Sequence, residues 1–95
     1  MKVFLTAEAE EELIVATGFH AREASNALGV AFIEEVERAF RLLVEQPFIG
    51  IVWREPTRRL ALQRFPFNVI HQVHGDEIRV IAIGHQRRKP GYWSD

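Results

Sequence analysis

The chain contains no cysteine. That absence excludes disulfide staples, thiolate nucleophiles and cysteine-ligated zinc, and it fits a reducing compartment. Long apolar runs are missing as well. Nothing approaches the roughly 18 residues that a bilayer span requires, and Met1-Lys2 is followed within a few residues by Thr6 and Glu8 instead of a signal-peptide core. The expectation is a cytoplasmic protein with no membrane partner. The four histidines, at 20, 71, 74 and 85, form no HExxH and gather no carboxylate set, so no metal is expected. Ser25 and Ser94 lie in no nucleophile elbow, and the glycines make no phosphate-cradling loop. No cofactor is implied. With six Gly, four Pro and neither repeats nor low-complexity tracts, the chain is not a disordered or fibrous one.

What remains is one ordinary globular domain over residues 1–95, 47% hydrophobic and 26% charged. Lys2-Val3-Phe4-Leu5 is too short for a helix and rich enough in β-formers to be a first strand. Thr6 can cap a helix whose first turns carry Glu8, Glu10, Glu11 and Glu12, where negative charge suits the positive end of the helix dipole. Ala9, Leu13, Ala16 and His20 trace its apolar side, and the glutamates are expected in water. After Ser25-Asn26 a second helical period runs through Leu28, Phe32, Val36, Ala39, Phe40 and Leu43, with Glu34, Glu35, Glu37, Arg38 and Arg41 expected outside. Gly29 near its start marks either close helix packing or a later start, and Gln46-Pro47 ends it.

Beyond Gly50 the period changes to two. Three runs alternate: 59–63, 67–73 and 77–85, with Pro66 breaking the first from the second and Gly75-Asp76 turning between the second and third. The predicted fold class is α+β: an N-terminal strand, an antiparallel helical hairpin, then a three-stranded antiparallel meander, all in one four-stranded sheet. The hairpin covers one face, and the opposite surface is expected to lie free to grip a macromolecule.

Charge is unevenly spread. Residues 1–50 carry four basic against nine acidic residues, a net of −5, whereas residues 51–95 carry eight against four, a net of +4. The second half either faces an anionic partner or lies against the acidic helices. Its tail, His85-Gln86-Arg87-Arg88-Lys89-Pro90-Gly91-Tyr92-Trp93, combines cations that can hold phosphate, rings that can stack on bases, and His85 and Tyr92 that can move protons. Alternatively, Tyr92 and Trp93 seal the open end of a small core. Arg58, Arg59 and Arg64 make a second basic cluster. His71 and His85 fall on adjacent strands, either as an acid-base pair or as core histidines.

The order Phe4…Ala7-Glu8…Glu11, Leu28-Gly29…Phe32…Glu35-Val36, Gln46-Pro47…Gly50, Arg59…Phe65-Pro66-Phe67…Ile70 and Ile83…His85…Arg88…Pro90-Gly91-Tyr92-Trp93 resembles the RelE/ParE superfamily of type II toxin-antitoxin toxins along nearly the whole chain. The resemblance implies a compact toxin held in a hetero-oligomer by a cognate antitoxin. It implies one of two targets: DNA gyrase for ParE-like members, or ribosome-bound messenger RNA for RelE-like endoribonucleases. The positions where RelE-like members carry two arginines match Asn68 and Gln86 here, whereas Arg59, Arg88 and Tyr92 match a basic residue, a second cation and an aromatic acid-base residue. On these grounds the ParE-like reading leads. The target- or phosphate-binding set is Arg59, Arg64, Arg87, Arg88 and Lys89, with His85 and Tyr92 catalytic only for a ribonuclease.

Overall fold

A computed structural model describes residues 1–94. Strand β1 (Lys2–Leu5) leads into helix α1 (Ala7–Glu23), which forms a hairpin with α2 (Asn26–Glu45). Then come β2 (Ile51–Arg54), β3 (Thr57–Ala61), β4 (Phe67–His74) and β5 (Glu77–His85), and one 3-10 turn over Tyr92–Ser94. The helices begin where short polar side chains can satisfy free backbone donors. Thr6 Oγ1 accepts from the Ala9 N–H at 3.1 Å, and Ser25 Oγ from the Leu28 N–H at 3.1 Å. Gly29 marks close packing: a Cβ there would lie 3.1 Å from the Ala21 methyl and 3.3 Å from the Thr17 carbonyl oxygen.

The sheet has five strands in the order β1-β5-β4-β3-β2, one more than the sequence predicts. The additional strand, β2, pairs antiparallel with β3 and forms the far edge. Both Ile51 and Val52 are exposed on it, so no inside-outside alternation betrays it. β1 does pair at the opposite edge as expected, but parallel to β5, with Leu5 opposite Val80. The sheet is therefore mixed. Two helices between β1 and the later strands give the long return that a parallel pairing needs.

The helical hairpin buries Ala9, Ala16, Phe32, Val36, Ala39 and Leu43 against Val69, Ile78, Val80 and Ile83. Burial of each large side chain among these contributes roughly 1.5–3 kcal/mol. His20 joins the cluster: its ring stacks on Phe32 with centroids 4.7 Å apart, and its Nδ1 donates to the Ala16 carbonyl at 2.8 Å.

The opposite face is not left free. Gly91, at φ +87°, folds the tail back so that Tyr92 lies on Gly84, where any Cβ would collide with the phenol. A Cβ on Gly91 would lie 2.6 Å from the Trp53 indole. Trp93 meets Trp53 edge to face with centroids 5.1 Å apart. The alternative in which the tail rings seal the open side of a small core is the one observed, and the freely open surface expected from the sequence is replaced by two smaller clefts.

Candidate functional site

Glu12 organises the tail end of the sheet. β1 is four residues long and β5 nine, so beyond Val80 the outer edge of β5 has no strand beside it. Side chains and backbone of the following segment take over. The Thr6 N–H donates to the Val80 carbonyl at 3.0 Å, the Thr6 hydroxyl reaches the Ile81 carbonyl at 3.3 Å, and Glu12 Oε1 accepts from the Ile83 N–H at 2.8 Å. Glu12 Oε2 accepts from the Tyr92 hydroxyl at 2.6 Å, and Arg88 Nη1 lies 3.7 Å from the same oxygen. The Arg88 guanidinium also stands 3.6 Å above the centre of the Tyr92 ring. Burial, reinforced by the hydrogen bond to Glu12, pushes the Tyr92 phenol well above its ordinary range. Tyr92 is thus a neutral donor holding the tail in place.

On one side of this clasp lies a cleft of about 210 Å³ whose lining includes Arg59, Asn68, His85, Gln86, Arg88 and Tyr92. The structure therefore brings together four residues of the predicted set: Arg59, His85, Arg88 and Tyr92. Asn68 and Gln86, the positions matched to absent arginines, line the same cleft. His85 Nδ1 accepts from the Arg87 N–H at 3.1 Å, and its ring meets Phe67 at 5.3 Å. The remaining cations lie elsewhere. Arg64 is on the β3–β4 turn, its guanidinium 5.6 Å from the Phe65 ring centre, beside a groove between α2 and β3. Arg87 and Lys89 are exposed on the tail.

His71 and His85 are not a pair. His85 is opposite Phe67, whereas His71 is opposite Val80, with a bulge between Ile70 and His71. His71 is completely buried beneath Gly50, whose Cβ position lies 3.5 Å from Nε2, and neither ring nitrogen has a partner within hydrogen-bond geometry. Burial lowers its pKa to about 4; proximity of the Ile49 backbone opposes the shift and Arg58 adds to it. It is a neutral core histidine.

Two acidic residues expected in water are functional parts of the fold. Besides Glu12, the buried Glu35 accepts from the Gln63 N–H at 2.6 Å and the Arg64 N–H at 3.0 Å, pinning the β3–β4 turn to α2. A signal for both was present. Glu12 lies three residues after Ala9 and four before Ala16, and Glu35 three after Phe32 and four before Ala39, so each falls inside an apolar stripe. Trp53, from the unexpected strand β2, is the third missed residue; it borders the cleft and contacts the tail. Among the described residues no cluster of His, Asp or Glu could hold a metal ion, and no helix is long and apolar enough to cross a membrane.

A mixed sheet covered by a two-helix hairpin is broadly a RelE/ParE-like fold. Residues 3–90 match the family model described as the ParE toxin of the type II toxin-antitoxin system parDE, and the chain belongs to that family. Among solved structures, the fold is similar to a chain of the chromosomal ParDE toxin-antitoxin system from P. aeruginosa, with a TM-score of 0.78 at 20% identity, over 90% of this chain and 95% of that one. A search among functionally curated proteins gives no significant match. Membership in a toxin-antitoxin family implies an antitoxin partner.

Proposed function

We propose that this protein is the toxin of a ParDE-type pair and arrests growth in the cytoplasm by binding a macromolecular target, DNA gyrase, without chemistry of its own. The observation that carries this reading is the state of the cleft. Its one tyrosine hydroxyl is committed to Glu12 at 2.6 Å, and Asn68 and Gln86 stand where a RelE-like ribonuclease has arginines. Without those cations a scissile phosphate loses charge stabilisation that is commonly the largest catalytic contribution. Target binding would fall to the exposed cations Arg59, Arg64, Arg87, Arg88 and Lys89.

The antitoxin would cover the outside of the helical hairpin, where Ile14, Val15 and Phe19 on α1 and Val30 and Ile33 on α2 are exposed. Such surface offsets the ordering entropy of a partner arm that folds on binding. Expression without the antitoxin is expected to arrest growth, and the purified protein to make gyrase accumulate cleaved plasmid DNA. His85→Ala and Tyr92→Phe should leave that arrest largely intact, while Arg59→Glu with Arg87→Glu should abolish it.

One observation favours a second reading, a ribosome-dependent endoribonuclease: Arg59, His85, Arg88 and Tyr92 share a single cleft. New transcript ends within codons after expression, absent in His85→Ala, would establish it and remove the first. Absence of any growth defect would instead mark a member that keeps only its antitoxin-binding role.

A further inference from the structure

The Tyr92–Trp93 pair separates the Arg59 cleft from a larger groove of about 910 Å³, between the first turns of α1 and the tail. Its chemistry is the reverse of the basic cleft. Trp53 and Trp93 wall it, and Glu8, Glu11 and Glu12 line its helix side. Glu12 is already matched by Arg88 and Tyr92, but Glu8 and Glu11 are exposed and have no ion-pair partner among the described residues. Gln72 in the same groove donates one of its two amide N–H groups to the Thr57 hydroxyl at 2.7 Å. Apart from the single cation Arg88, the charged groups of the groove are thus carboxylates set beside indole rings.

We propose that this groove docks an arginine-bearing segment of a partner protein. A guanidinium carries donors only and stacks on aromatic faces, so indoles beside carboxylates complement it on both counts. The fold's own side chains display the full pairing once and the ring stacking alone a second time. Arg88 is held in the groove between the Tyr92 ring, 3.6 Å away, and the Glu12 carboxylate, 3.7 Å away; Arg54 lies 4.8 Å over the Trp53 ring. A partner arginine would find Trp93, Glu8 and Glu11 in the corresponding roles. The site belongs to neither the apolar outside of the hairpin nor the Arg59 cleft, and it stands whether or not gyrase is the target.

The chain has two tryptophans, and both line the groove as well as the Arg59 cleft, so intrinsic fluorescence reads occupancy on either side of the tail and the groove glutamates assign the side. The experiment titrates the whole protein with a capped Gly-Arg-Gly-Arg-Gly peptide at low salt. A saturable change in tryptophan emission is expected. The lysine counterpart should bind at least about threefold more weakly, because an ammonium does not stack in the same way. The double variant Glu8→Gln/Glu11→Gln, altered only at exposed positions, should bind about tenfold more weakly, with the thermal melt lowered only by the small loss of negative charge at the start of α1. In the unaltered protein, raising salt to 0.5 M should weaken binding several-fold, which keeps the charge argument testable if the variant misfolds.

No saturable change would overturn the proposal, as would binding indifferent both to the two glutamates and to salt. Equal binding by the lysine peptide or by spermidine would also overturn it, by showing a general cation site. The titration reads no toxicity, so a failed growth-arrest assay and a failed titration remain separate results.

Discussion

On the helix side of the sheet, Phe32, Leu43, Val69 and Ile83 are shut in by aliphatic and aromatic contact, whereas on the far side Ile70 lies in a cleft bounded by a tail held through hydrogen bonds and ring contacts. The first closure is broad and redundant. The second hangs on few atoms: the Tyr92 hydroxyl on Glu12, Arg88 above the Tyr92 ring, and Trp93 on Trp53. The helix side therefore sets stability, while the tail side positions cations and grooves at modest energetic cost. Substitutions on the two sides should separate these roles.

The largest effect is expected at Phe32, fully buried and in ring contact with His20, Phe65 and Phe67. Phe32→Ala should cost about 3–5 kcal/mol of unfolding free energy in urea titration, as expected for a large ring removed from a packed core. A cost below about 1 kcal/mol would mean that the hairpin packs loosely and that the two closures do not differ.

His71 brings a pH dependence to the helix side. Its pKa falls from 6.5 to about 4 on folding, so between these values the unfolded chain binds the extra proton. Stability should be full above pH 6.5 and decline as pH falls toward 4, by a total of about 3 kcal/mol. In His71→Leu the decline over that window should flatten. An unchanged slope would assign the acid sensitivity to other groups.

Glu35 tests whether a carboxylate within the helix-side stripe acts as a structural anchor. Removing it leaves the Gln63 and Arg64 N–H groups without their acceptor, and Glu35→Ala should cost about 2 kcal/mol in the same urea titration. Faster amide exchange at Gln63 and Arg64 should accompany the loss.

The same contrast explains how much could be read from the sequence. Capping at Thr6, the break at Ser25-Asn26, the apolar stripes of α1 and α2, and the bounds of β5 at Glu77 and His85 all follow from local periodicity and turn chemistry. β2 escaped because Ile51 and Val52 are both exposed, so its pattern has no period. Glu12 and Glu35 read as solvated because composition outweighed phase: only their position within the stripes marks them as inward. In the Arg59 cleft, Arg59, His85, Arg88 and Tyr92 could be named as residue types, but their convergence depends on a tail that folds back over Gly84. That fold-back is a tertiary event. A glycine at 84 leaves no trace in periodicity, although it alone makes room for the phenol.

The smallest effect belongs to the clasp itself. Tyr92→Phe keeps the ring on Gly84 and beneath Arg88 but deletes the donor to Glu12, whose second oxygen retains Arg88 at 3.7 Å as a partner. A cost of about 1 kcal/mol is expected, near that of an ordinary hydrogen bond and well below that of Phe32→Ala. Because the acceptor stays charged and near a cation, the loss should not spread into the sheet, and amide exchange at Ile83 should remain slow while emission from Trp53 and Trp93 shifts as the tail loosens. If Tyr92→Phe destabilises the protein as much as Phe32→Ala, the tail belongs to the core and the distinction between the two faces fails. If emission and exchange are both unmoved, ring packing alone holds the tail, and Glu12 serves only to cap the unpaired edge of β5.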